Sequence, residues 1–330
     1  MTNKVPLNRT FCVAPMLDCT DRHDRYLLRL ISQHAVLYTE MITTGALLFG
    51  DTARFLDFND AEHPVALQLG GSEPDAMARC AELAQQWGYD EVNINVGCPS
   101  DRVQSGRFGA CLMQEPALVG KNVAAMCAVV DIPVTVKCRI GVDEQEPSES
   151  LWRLVEDAAN AGCQTFLVHA RKAWLQGLSP KQNRDVPPLD YELVYELKAD
   201  FPELEIIVNG GINTLDDCAD HLTQVDGVMM GREVYSNPYV LADVDQRFFG
   251  SSAKAPSRDE VLAAYIDYTD EVLSHTEARL NTLSRHAVGL YHGEPRSRLW
   301  RRCLSENAHK AGADSSVLKE AWNSMVAGEA

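Results

Sequence analysis

No apolar run in this chain is long enough to cross a bilayer, which excludes a helical membrane anchor. Its ten cysteines form no C-x-x-C pair and no nearby Cys/His quartet, so neither zinc nor a disulfide framework is expected and the thiols are taken as reduced. No G-x-G-x-x-G follows the first strand-like run, which counts against an open dinucleotide-binding sheet. The first nine residues lack the uninterrupted apolar core of a signal peptide, which points to the cytoplasm. Positive charge is also scarce: 30 Lys and Arg against 47 Asp and Glu give a formal net charge of −17. Taken alone, that disfavours a nucleic-acid partner, because phosphate contacts need cations.

What is present is an ordinary globular composition, 45% apolar and 23% charged, over 330 residues. That length suits one large α/β domain with an appendage. Apolar or β-branched runs recur at 11–16, 37–42, 65–70, 91–96, 134–140, 165–171, 205–209 and 227–230. Segments of helical length lie between most of them, at 75–87, 118–130, 151–161 and 191–200. Eight strands alternating with helices predict a (β/α)8 TIM barrel, with a doubly wound open sheet as the weaker alternative. Beyond about Asp245 only helical patterns remain, as at 260–274 and 278–291. The predicted organisation is therefore a barrel over 1–245 and a smaller all-helical domain over 246–330.

The stretch 93–101 ends the fourth predicted strand with Gly97 and Pro99, which holds the Cys98 thiol out beyond the sheet. Other unusual polar residues also fall at strand ends. Gln68 is near the end of the third strand, Asn95 of the fourth, Lys137 and Arg139 of the fifth, and His169 and Arg171 of the sixth. In a barrel they converge on the rim that carries active sites. Asn209-Gly210-Gly211 and Gly231-Arg232 follow the seventh and eighth strands, the usual phosphate site of this fold, and imply a phosphorylated cofactor. Two local basic groups run against the net charge: Arg171, Lys172, Lys181 and Arg184, and a second from Arg285 to Arg302 in which Arg298, Arg301 and Arg302 share a helical face.

In this order, Ala14-Pro15-Met16-Leu17-Asp18, Asn95-Val96-Gly97-Cys98-Pro99-Ser100, Val136-Lys137-Cys138-Arg139-Ile140-Gly141, Val168-His169-Ala170-Arg171, Val208-Asn209-Gly210-Gly211-Ile212 and Met230-Gly231-Arg232 resemble the motif set of the tRNA-dihydrouridine synthases. The runs 102–110 and 171–181 resemble the A subfamily, with Cys19 departing from its Trp.

The resemblance implies FMN on the barrel rim, NADPH as its reductant, and reduction of the C5–C6 bond of D-loop uridines 20 and 20a in tRNA. It places Pro15, Met16 and Leu17 along the flavin ring, Gln68, Lys137 and His169 in contact with it, and Asn209, Gly210, Gly211, Gly231 and Arg232 at the phosphate. Hydride from flavin N5 would reach uracil C6, and Cys98 would protonate C5. A thiol of ordinary pKa, about 8.5, can donate at neutral pH, whereas a nearby cation favours the thiolate. Asn95 would read the uracil, and Lys181, Arg184, Arg298 and Arg301 would touch tRNA. A monomer without metal is expected. The competing readings are a flavin barrel acting on a free pyrimidine, similar to dihydroorotate dehydrogenase, and a non-catalytic tRNA-binding protein.

Overall fold

The computed structural model of the chain describes residues 7–326. Among them, eight parallel strands close into a barrel in sequence order: β1 (Phe11–Val13), β2 (Val36–Thr43), β3 (Val65–Gly70), β4 (Glu91–Val96), β5 (Val134–Arg139), β6 (Thr165–His169), β7 (Glu205–Asn209) and β8 (Gly227–Met230). Closure comes from β1, which pairs with both β2 and β8. The fold is the TIM barrel that the alternation of elements predicts. The structure ends β1 at Val13 and β6 at His169, two or three residues short of the sequence pattern, so that the rim residues leave the sheet.

The helices Pro74–Gln86, Pro116–Cys127 and Pro147–Asn160, which follow β3, β4 and β5, each start ahead of the apolar spacing, on a proline. The first helical turn has no use for an N–H there, and the ring presets φ. Their apolar faces cover the outward residues of the strands, such as Val92, Ile94 and Val96 of β4, all fully buried.

Inside, Cys12, Ala14, Val36, Tyr38, Ala66, Leu167, Ile207 and Met229 pack as one cluster. The remainder of the interior is polar. Successive strand residues face opposite sides of a sheet, so Glu91, Asn93 and Asn95 of β4 share the inner face, and register sets Asn93 beside Gln68 and Thr135 and Asn95 beside Lys137.

The chain divides into two compact units, and the division differs from the one drawn near residue 245. Among the described residues, the barrel unit takes 7–18 and Ala35–Gly231; the helical unit takes Cys19–His34 and 232–326. Within the helical unit the early segment is held by its own contacts. Tyr26 stacks on Tyr268 at 3.8 Å, His23 Nδ1 lies 2.7 Å from the Tyr268 hydroxyl, and the Asp245 carboxylate accepts from Ser32 Oγ and Gln33 N at 2.5 and 2.7 Å. Sequence order hides such a segment, because it is contributed by the connection between two barrel strands. Among the described residues no helix is long and apolar enough to cross a membrane.

Candidate active site

Cys98 is half-buried in the turn that follows β4, and the turn is shaped by side chains rather than by sheet pairing. Asn95 Oδ1 accepts from the backbone N–H groups of Gly97 at 3.1 Å and Cys98 at 2.9 Å, an Asx turn that stops the strand and sets the thiol beyond it. Ser100 Oγ lies 3.6 Å from Cys98 Sγ. Opposite the turn, Ala110 N donates to Cys98 O at 2.9 Å, an approach allowed by Gly109, where a Cβ would sit 2.6 Å from that oxygen.

Two side chains that the sequence motifs contain without explaining hold this turn. Arg139 is buried and spends its guanidinium on three backbone carbonyls: Gly97 at 3.1 Å, Lys172 at 3.0 Å and Asn183 at 2.8 Å. Burial, and then the neighbouring Arg184 and Arg171, lower its pKa from the ordinary value. Gln104 Nε2 donates to Pro99 O at 2.9 Å and Leu175 O at 2.7 Å, joining the 102–110 run to the 171–181 run. Nothing in residue type alone distinguishes such braces from surface Arg and Gln.

Lys137, one strand from Asn95, is half-buried and donates to Asn209 Oδ1 at 3.0 Å. Among the described residues no carboxylate pairs with it. Burial, aided by Arg139, pushes its pKa down to about 8. Asn209 is itself oriented by donating to Met229 O at 2.7 Å, which turns its Oδ1 to Lys137. The backbone that follows is Gly210 and Gly211, at φ +112° and +71°, values that favour glycine. A Cβ on Gly210 would lie 2.5 Å from His169 Cδ2, which places the His169 ring directly beside this turn. A Cβ on Gly231 would be 3.7 Å from Met16 Sδ, so the ends of β8 and β1 meet as well. Leu17 beside it is 66% exposed, an apolar side chain held out at the rim.

A family model described as "Dihydrouridine synthase (Dus)" matches residues 12–326 of this chain. The chain belongs to the dihydrouridine synthase family. Among relatives of the family, a tRNA-dihydrouridine(20/20a) synthase of Shewanella oneidensis is 58% identical over 97% of this chain and 95% of its own length. Proteins of the same name from Vibrio cholerae and Escherichia coli K12 are 56% and 55% identical over 94% of this chain, covering 94% and 90% of theirs. A solved 2-naphthoyl-CoA reductase complex is similar in structure with a TM-score of 0.56 at 12% identity, over 72% of this chain and 50% of that one. That likeness concerns the fold alone.

Dihydrouridine synthases are flavin-dependent oxidoreductases, and the residues present fit a flavin. The Gly210-Gly211 turn would not accept side chains without displacing His169 or Leu189. Lys137 offers a cation that meets no carboxylate among the described residues, suited to an electron-rich ring edge. Gln68 is buried on β3 and tied to Asn93 and Asn95, while Pro15 and Met16 are half-buried after β1. Arg232 is exposed, opens the helix Arg232–Ser236 and falls in the helical unit. Lys181 and Arg184 are exposed in the barrel unit, on and next to the short helix Gln182–Asp185 whose Asn183 carbonyl Arg139 holds. In the helical unit, Arg298 and Arg301 of the helix Ser297–Asn307 line a cleft of about 560 Å³ together with Arg285 and Arg302.

Proposed function

We propose that this dihydrouridine synthase acts on tRNA, reducing the C5–C6 bond of D-loop uridines 20 and 20a with FMN as its flavin and NADPH as the reductant. When bound, reduced FMN supplies the hydride that C6 receives. Cys98 gives its thiol proton to C5, and solvent restores that proton afterwards. The Asn95 turn and the Arg139 contact to Gly97 keep the thiol at a fixed place, which proton donation in a transition state requires. Lys137 favours negative charge on the flavin ring, and His169 lines the same wall; the Gly210-Gly211 backbone and Gly231, with Arg232 next to it, serve the phosphate. A target uridine has to leave the RNA stack at a cost of about a few kcal/mol, offset by contacts in the pocket, of which Asn95 supplies one. Lys181 and Arg184, and separately Arg298 and Arg301, hold the RNA backbone, which accounts for basic surface on an acidic protein.

The observation that carries this reading is the half-buried Cys98 just after β4, one strand from Lys137 of β5, which among the described residues pairs with no carboxylate. Its test is a yellow purified protein that, given NADPH and unmodified tRNA, adds a two-hydrogen mass increment to the D-loop fragment. Equal turnover of free uracil or orotate would favour a free-pyrimidine enzyme, and a colourless protein would end the flavin reading.

A further inference from the structure

A continuous line of hydrogen bonds descends the barrel interior from the Cys98 turn to the first residue of β4. Asn95 Nδ2 donates to Gln68 Oε1, Gln68 Nε2 to Asn93 Oδ1, and Asn93 Nδ2 to Thr135 Oγ1, each at 2.8 Å. Thr135 Oγ1 donates to Glu91 Oε1 at 2.5 Å. Glu91 also accepts from the Tyr38 hydroxyl at 2.7 Å and from Arg9 Nε at 2.6 Å. We propose that Glu91 is a remote positioning residue for Cys98: through Thr135 it dictates which end of three buried amides faces the barrel mouth. The proposal deepens the reading above and rests on it for the identity of the substrate.

The argument is one of hydrogen-bond polarity. Glu91, paired with Arg9, can only accept, so Thr135 commits its single hydroxyl proton downward and keeps only lone pairs for Asn93. Asn93 must then present its oxygen to Gln68, and Gln68 its oxygen to Asn95. Asn95 is left with its oxygen toward the Gly97 and Cys98 N–H groups, which can only donate. The two ends are chemically unambiguous and require the same orientation of every amide between them. Each amide keeps one N–H unspent, and those of Gln68 Nε2 and Asn95 Nδ2 belong to the two amides nearest the Cys98 end of the line. The mouth therefore offers donors, the complement of the carbonyl oxygens of a pyrimidine ring. A reversed line would offer carbonyls instead and would set an amide NH2 against the Cys98 N–H. Losing a single buried partner in such a line leaves a neighbouring amide unsatisfied, which is costly at low dielectric.

Thr135→Val removes the hydroxyl at nearly constant shape and leaves the Arg9–Glu91 pair intact; Thr135→Ser restores the proton. Tyr38→Phe deletes an equally buried donor to Glu91 that lies off the line. In flavin-free protein, hydrogen exchange of the 97–100 segment is expected to rise about tenfold in Thr135→Val and to stay at the wild-type rate in Thr135→Ser and Tyr38→Phe. In dithionite-reduced holoenzyme mixed anaerobically with saturating unmodified tRNA, flavin reoxidation is expected to slow about tenfold in Thr135→Val alone, with KM for tRNA within about twofold. Wild-type behaviour of Thr135→Val in both measurements, or the same loss in Tyr38→Phe, overturns the proposal. If Thr135→Val does not accumulate, Glu91→Gln replaces it: its oxygen turns to Arg9 and its N–H to Thr135, and the same rise in exchange is expected. A wild-type enzyme that tRNA does not reoxidise refutes the substrate reading instead, while the exchange measurement still decides the role of Glu91.

Discussion

The Nε of Arg139 donates to the carbonyl oxygen of Gly97 at 3.1 Å, so the residue before Cys98 is held by a buried cation from the neighbouring strand. The same guanidinium reaches Lys172 and Asn183, which a Lys ammonium on a single flexible stem cannot reproduce. Arg139→Lys is expected to retain flavin, read as the ratio of visible to ultraviolet absorbance, and to lose about tenfold to a hundredfold in single-turnover reduction of tRNA. Turnover at the wild-type rate would show that the turn holds its shape without this clamp.

Cys98→Ala removes the thiol to which the proposed function assigns proton donation. Flavin content and tRNA affinity are expected to stay within about twofold, while dihydrouridine formation falls about a hundredfold or more, the range for loss of a general acid. Mass spectrometry of the tRNA product provides the readout, and full activity in the variant would remove Cys98 from the chemistry.

Gly210→Ala asks a left-handed backbone position, φ +112°, to carry a Cβ that would sit 2.5 Å from His169 Cδ2. A loss of about 1–3 kcal/mol of stability is expected from the backbone alone, accompanied by weaker FMN binding as the His169 wall moves. Gly45 is the control: no atom lies within 4 Å of its Cβ position, and it sits in the helix Thr44–Phe49. Gly45→Ala is expected to gain about 0.5–1 kcal/mol in a denaturation experiment.

In the helical unit, His286 lies between two carboxylates, with Nε2 3.0 Å from Asp21 Oδ1 and Nδ1 3.5 Å from Asp24 Oδ1. Burial opposes its charge, but the bond to Asp21 and the nearby Asp24 carboxylate outweigh burial and push its pKa up to about 9. A folded-state value above the unfolded one stabilises fully below about pH 6.5, and the contribution is lost as pH rises through about 9. The pair of values corresponds to about 3 kcal/mol. Urea denaturation is expected to show stability falling between these limits in the wild type, and a flatter profile in His286→Gln.

The barrel was legible because its signals are local. The strands at 65–70, 91–96, 205–209 and 227–230 have the bounds that β-branched and apolar runs suggest, and prolines and caps mark the helices between them. The rim positions of Cys98, Lys137 and His169 follow from strand ends alone, because a parallel barrel sends every strand end to one face. The inner line was written in the same residues but could not be read from them. The alternation of Glu91, Asn93 and Asn95 looks like a solvent-facing stripe until it is known that helices cover the other side. The extent of the helical unit was hidden for a related reason, since Cys19–His34 joins it through partners more than 200 residues away, such as Tyr268 and His286.

Sequence by itself determined the order of elements, the family and the ring of polar strand ends, all of which depend on neighbours a few residues apart or on matching runs. Only the tertiary structure decided that Glu91 and Cys98 are joined through three amides, that Arg139 faces backbone carbonyls instead of solvent, and that Asn209 orients Lys137. The physical reason is that a hydrogen bond is specified by direction and by what else competes for each donor, and those are known only once distant strands have been placed side by side.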